Sequence, residues 1–327
     1  MTVLAALLAA CSTNNPAPGS GVEGKEAEPV QLPEVAAYRV AEDEPALDVK
    51  VAAVRFLETA FNYDEGQGTA QATRERLAQA EIDPDAITDE TPFSEDSEDA
   101  DTDTSGAAEV IYPQLGGLTD DQASIMAVTE ITTLTQESLL SATYVIDLRL
   151  TRQGDSWDVT EIASLGGTPP QDASPSPGSE DEAPRAQVSE AATEVLRSPS
   201  IELPGSARWD ILDHQIDDRL LELLLELSSE RTLSVAVLAT GHPVNVFDSP
   251  SVSNHTHGRA VDIWAIDGVT ISDLRASGPD GPAGTVMREA LEQGATEVGG
   301  PWALSTDHGG TFTNTVHQDH LHIAFKQ

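Results

Sequence analysis

The sequence predicts an α+β protein of two domains, and three observations carry that expectation. An apolar pattern of helical period near residue 50 gives way to strand-period alternation after residue 122. The stretch GGTPPQDASPSPGSEDEAPRAQ (166–187), dense in Pro, Ser and acid, separates two patterned regions. All eight histidines fall beyond it, from His214 onward, so the regions differ in chemistry as well as in pattern. A chain of 327 residues is long enough for two ordinary domains.

The first eleven residues, MTVLAALLAAC, are a short apolar run with small residues before Cys11. They resemble a bacterial lipoprotein signal, in which cleavage precedes a cysteine that then carries lipid. No Lys or Arg precedes the run, which departs from that pattern. The run is too short to cross a bilayer as a helix. The resemblance implies lipidation at Cys11 and a position at the cell envelope, tethered to the outer face of the cytoplasmic membrane. Residues 12–44, rich in Pro, Gly, Ala and Glu, read as the tether.

The first domain is expected over 45–165. Asp48 favours a helix N-terminus, and Val51, Val54, Leu57 and Phe61 recur at helical spacing. ATRERLAQA continues as a second helical piece, and an acidic insertion, 81–105, then breaks the pattern. SIMAVTEITTL alternates loosely. ATYVIDLRLT (142–151) alternates cleanly, with Ala142, Tyr144, Ile146, Leu148 and Leu150 on one face. RQGDSW supplies a turn, and Trp157 and Val159 begin a return strand. Helices followed by an antiparallel meander give an α+β domain. This order resembles the nuclear-transport-factor-2-like cone fold, which implies a membrane-proximal docking module. With no His or Cys between 12 and 213, no chemistry is expected there.

After the linker, 166–189, the second domain is expected over 190–327. ILDHQIDDRLLELLLELSSE reads as one helix, with His214 on its face. LSVAVLAT and VDIWAI read as strands, GTVMREALEQG as a helix closed by Gly294, and LHIAF as a final strand.

With 17 basic against 56 acidic residues, the formal net charge is −39, which speaks against nucleic acid and against a basic grip on anionic lipid. A single cysteine excludes an intramolecular disulfide.

Two stretches concentrate metal-binding side chains. In SNHTHGRAVDI (253–263), His255 and Asp262 can face one another if the chain turns at Gly258 and runs into a strand. In HQDHLHIAF (317–325), strand alternation puts His320 and His322 on one face, with Leu321 and Ile323 on the other. His317 and Asp319 lie on the approach. His257 reads as an exposed loop residue, and Trp264 and Trp302 as groove walls or core.

These residues carry a family resemblance over about 232–327. SNHTHGRAVDI resembles the S-x-H-x-x-G-x-A-x-D signature of the D-Ala-D-Ala carboxypeptidases and dipeptidases, peptidase family M15. GRAVDI also resembles the hedgehog signalling domain, and HLH the H-x-H element of the wider lysostaphin–D-Ala-D-Ala–hedgehog superfamily. The resemblance implies a hedgehog-like zinc domain with Zn2+ on His255, Asp262 and His322. It also implies hydrolysis of peptidoglycan stem peptides, by a carboxypeptidase or a murein endopeptidase. Many M15 enzymes carry a glutamate base three residues before the last ligand, where this chain has Asp319. His317 and His320 match the spacing of the histidine-rich endopeptidases. His242, in LATGHP, stands where the carboxypeptidases carry an arginine for the oxyanion.

His320 is the first candidate for general base, with Asp319 and His317 behind it. Two other readings stay open: a non-catalytic zinc-containing module that binds wall peptides, and a lipoprotein whose cone-like domain works by docking a protein partner.

Overall fold

The computed structural model describes residues 30–88, 104–135, 138–166 and 188–326. Cys11, most of the acidic insertion and most of the linker lie outside the described residues. The fold is mixed α and β with largely antiparallel sheets, and the described residues from 31 onward form one compact unit. Two large apolar clusters lie within it, one drawn from residues 49–159 and one from 192–325.

In the first half, α1 (Leu47–Phe61) and α2 (Ala70–Gln79) precede four strands. These are β1 (Ser105–Leu118), β2 (Gln122–Leu134), β3 (Leu139–Gln153) and β4 (Ser156–Ser164), paired in chain order as an antiparallel meander. Strand β1 was not foreseen in the sequence: Pro113, Gly116 and Gly117 interrupt its strand character. It tolerates Pro113 because it is an edge strand.

The apolar stripe of α1 differs from the expected one. Val51 is 46% exposed, whereas Lys50 is fully buried four residues before Val54. Residues 31–44, read as tether, pack on the body instead. Tyr38 lies against the first cluster, its amide donates to Glu58 Oε1 at 2.6 Å, and Glu44 is buried. In the expected insertion, Ala86 and Ile87 are likewise buried.

The meander is covered on both faces. Ile146, Leu148 and Leu150 face α1, while Met126 and Val145 on the other face pack against Val237 of the second half. Asp147 shares this second face. Its carboxylate pairs with Arg149 at 2.6 Å and accepts from Ser124 Oγ at 3.1 Å. Burial nevertheless pushes its pKa from 3.8 up to about 7, with Arg149 only partly offsetting it. The folded state therefore holds a proton that the unfolded chain releases above about pH 4, so stability falls as pH rises from about 4 to 7. Asp147→Asn should flatten that slope and be the more stable form at pH 8 by about 2–4 kcal/mol, read from urea midpoints at pH 5 and 8. A variant that keeps the wild-type slope would show that another group titrates.

The second half contains α3 (Glu190–Arg197), β5 (Ile201–Glu202), α4 (Gly205–Leu212), α5 (Asp218–Leu227), β6 (Leu233–Val237) and β7 (Ala260–Ile266). It continues with β8 (Val269–Thr270), α6 (Ile271–Leu274), α7 (Pro282–Glu292), β9 (Glu297–Gly299), β10 (Ser305–Thr306), β11 (Gly309–Gly310) and β12 (Leu321–Ala324). The main sheet has the order β5-β6-β7-β12-β9, with β8 on β7. Only the β5–β6 pairing in it is parallel. The leucine-rich helix expected over 211–230 is two helices. His214 adopts φ 57° between them, not a helix-face position, and the Asp217 side chain caps α5 by accepting from Arg219 N at 3.0 Å.

Candidate metal and catalytic centre

The centre forms where β7 and β12 lie side by side. His322 is directly opposite Asp262 in the register, and both side chains emerge on the same face. His255 arrives from a 3₁₀ turn, His255–His257, just before β7. Gly258 ends that turn at φ 64°, and a β-carbon there would lie 1.7 Å from Gln215 O. Only glycine allows the chain to fold back so tightly against the α4–α5 turn. Although it lies in a turn ahead of the strand, His255 is fully buried.

The three side chains converge. His255 Nε2 lies 3.2 Å from Asp262 Oδ1 and 3.3 Å from His322 Nδ1, and His322 Nδ1 lies 3.0 Å from Asp262 Oδ1. With metal–ligand bonds of about 2.0–2.1 Å, the edge of a tetrahedron is about 3.3 Å. The three atoms therefore have the spacing of one tetrahedral face, and two imidazoles with a carboxylate are a donor set that suits zinc.

The outer atom of each side chain is also engaged, which turns the inner atom toward the shared centre. His255 Nδ1 donates to Leu238 O at 2.6 Å, His322 Nε2 faces Glu297 Oε1 at 3.3 Å, and Asp262 Oδ2 accepts from Gln114 Nε2 at 2.7 Å. Burial alone would raise Asp262, but His255 and His320 hold its pKa well below the usual carboxylate range. Burial opposes a charge on His322, yet its bonds to Asp262 and Glu297 outweigh that and raise it to about 9. Glu297 falls correspondingly to about 2, chiefly through its bond to His322.

A second set shares two of these residues. His242, His255 and Asp262 bring one ligand atom each within 4.8 Å of one another, close enough to hold a metal ion. His242 stacks on His255 with ring centroids 4.0 Å apart and donates from Nδ1 to Pro243 O at 2.7 Å. Burial, then His255, keep its pKa well below 6.5, so the ring is neutral and Nε2 carries a lone pair. Such a ring can accept or ligate but cannot donate to an oxyanion, and so does not replace the arginine of the carboxypeptidases. The His322 set is the tighter, with every separation at or below 3.3 Å.

His320 and Asp319 flank this group. His320 Nδ1 donates to Asp319 Oδ1 at 2.7 Å, leaving Nε2 3.9 Å from Asp262 Oδ2. Asp319 is fully buried, and its Oδ2 accepts from Leu115 N at 2.9 Å and pairs with Lys50 Nζ at 2.5 Å. With both oxygens engaged, Asp319 orients His320; it is not a free base. Burial would raise its pKa, but Lys50 and the bond from His320 hold it below 3.8. His317, in the turn Val316–Gln318, donates from Nδ1 to Asn314 Oδ1 at 2.7 Å. Burial and the neighbouring His320 and His322 lower it to about 3, so it is a much weaker base than an ordinary imidazole. His257 is exposed, as the sequence suggests.

The sequence gives no chemistry to residues 12–213, yet that half reaches the centre through Lys50, Tyr112, Gln114 and the Leu115 amide. Tyr112 donates to Asp319 O at 3.1 Å and stacks on Trp264, centroids 4.9 Å apart, so Trp264 joins the two halves and is not a groove wall. Glu44 pairs with Lys50 at 2.6 Å and accepts from Ser272 Oγ at 2.7 Å. A lysine on the apolar stripe of α1 is the one sign of this in the sequence.

The centre opens into a cleft of about 560 Å³, within the range of small-molecule and peptide sites. Its lining includes Leu115, Gly116 and Met126 from the first half and His242, Phe312 and His317 from the second. No protein-family model, curated protein sequence or solved structure matches this chain.

Proposed function

We propose that the chain is a zinc-dependent hydrolase of peptide bonds in peptidoglycan stem peptides, held at the cell envelope by a lipid on Cys11. The observation that carries the reaction type is the convergence of His255, Asp262 and His322 beside a His320–Asp319 pair, with Asp262, His320 and His322 lining a cleft. The substrate class rests on the resemblance of SNHTHGRAVDI and HLH to the D-Ala-D-Ala peptidase signatures.

His255 Nε2, Asp262 Oδ1 and His322 Nδ1 would hold the ion. When bound, zinc polarises the scissile carbonyl and lowers the pKa of a coordinated water from about 15.7 to about 7. The chain's own contribution is proton transfer and orientation. Asp319 fixes His320 with its proton on Nδ1, so Nε2 presents a lone pair toward the centre. That nitrogen takes the proton of the attacking water and returns it to the leaving amine.

His320→Ala should keep the metal and lower turnover by about 10²- to 10⁴-fold, as loss of general acid–base help does. The measurement is metal content alongside digestion of purified peptidoglycan, with products identified by mass. Unchanged turnover removes His320 from the mechanism. If the metal-loaded wild-type chain releases no peptide, the hydrolase reading fails and the binding-module reading takes its place.

A further inference from the structure

We propose that strand β1 of the first half is a working part of the metal centre, with Gln114 as a positioning residue for Asp262. The inference rests on the metal reading above and extends it to a region without histidine or cysteine. The side chain of Gln114 is fully buried, and its Nε2 lies 2.7 Å from Asp262 Oδ2, the one oxygen of that carboxylate not turned to His255 and His322. Its Oε1 has no hydrogen-bond partner among the described residues. A buried amide is costly unless its groups are bonded. Here the amide is held with one end unmatched, so the bond to Asp262 sets its orientation. The reversed amide would put its oxygen against the carboxylate.

The neighbouring contacts repeat the arrangement. β1 is an edge strand, so the Leu115 N–H has no further strand to meet and donates to Asp319 Oδ2 at 2.9 Å. Tyr112 OH donates to Asp319 O at 3.1 Å. Three of four successive residues of β1 thus bond to two acids of the centre, and one of these acids orients His320. An edge strand packed for shape alone would bury apolar side chains here. Polar partners beyond the ligands are what fix a ligand's direction and its basicity.

The test uses the full chain and cobalt(II) as the probe, with affinity from titration and the ligand-field spectrum as a second readout. Gln114→Met keeps the length and bulk of the side chain and removes the donor. Expected is about 10- to 100-fold weaker cobalt binding and a changed spectrum, with the thermal midpoint of the metal-free protein retained. If Gln114→Met does not fold, Gln114→Asn, which draws the amide back by one methylene, is read in its place and should lose at least about tenfold. Wild-type affinity together with a wild-type spectrum in the folded variant overturns the inference. Failure of the wild-type chain to take up cobalt would instead overturn the metal reading, so the two failures are told apart by the wild-type arm alone.

Discussion

His322→Ala should abolish zinc uptake and peptide hydrolysis together, whereas His242→Ala should leave the metal in place. Both variants keep His255 and Asp262, so the pair distinguishes the two ligand sets. In the tighter set, His322 Nδ1 lies 3.0 Å from Asp262 Oδ1 and 3.3 Å from His255 Nε2. Removing it leaves one imidazole and one carboxylate, and the loss should exceed the roughly 10- to 100-fold that losing an outer hydrogen-bond partner costs. Asp262→Ala should behave in the same way, since its Oδ1 meets both histidines. Metal content by mass spectrometry and turnover on peptidoglycan are the paired measurements. Full zinc occupancy in His322→Ala, with loss in His242→Ala, would transfer the assignment to the second set. The metal-free protein adds a pH signature. Its His322 stays protonated up to about pH 9, so loading releases that proton. Affinity should therefore fall about tenfold for each unit of pH lowered between about 9 and 7.

Part of the candidate ligand set was legible because part of its geometry is local. His255 and Asp262 are brought together by one tight turn ending in Gly258, and His322 faces Asp262 across the β7–β12 pair, whereas His320 stands just ahead of β12 and is held by Asp319. Apart from Asp319 beside His320, the partners were not legible, because their contacts are long in sequence. Gln114 and Asp262 are 148 residues apart, and Leu115 and Asp319 are 204 apart. The same limit hid the broken helix. The buried leucines of 211–227 all belong to α5, from Leu220 to Leu227, and the sign of its separate start is Asp217 in the capping position. Strand β1 was obscured by Pro113 and two glycines, which propensity reads as loop; its place at a sheet edge is what tolerates them. The clean alternation of β3 located the strand correctly, but could not say that Val145 and Asp147 would also be covered. That depends on the second half packing across the sheet.

Lys50→Met should be among the most destabilising single changes in the chain, although Lys50 lies on a helix without ligand or base. Its ammonium is fully buried between two carboxylates, 2.6 Å from Glu44 and 2.5 Å from Asp319. Methionine matches most of the volume, so the loss is one of charge. Breaking a buried pair by removing one partner costs about 3–5 kcal/mol, because the charge left behind has neither water nor a counter-ion. Two carboxylates are left here, and only Asp319 keeps a cationic neighbour, His320, when that ring is protonated. In the wild type, Asp319 is held below its ordinary pKa, so its contribution to stability is present above about pH 4 and is lost as acid protonates it. The deficit of Lys50→Met relative to wild type should therefore be at its full size at pH 7 and shrink as pH falls below about 4, toward pH 3. Urea midpoints at the two pH values measure it. A deficit of the same size at both would mean that Lys50 acts by packing, and that the buried charge does not tie α1 to Asp319. In the folded fraction of the variant, His320 should also lose its fixed orientation, so turnover should fall further than the population of folded protein accounts for.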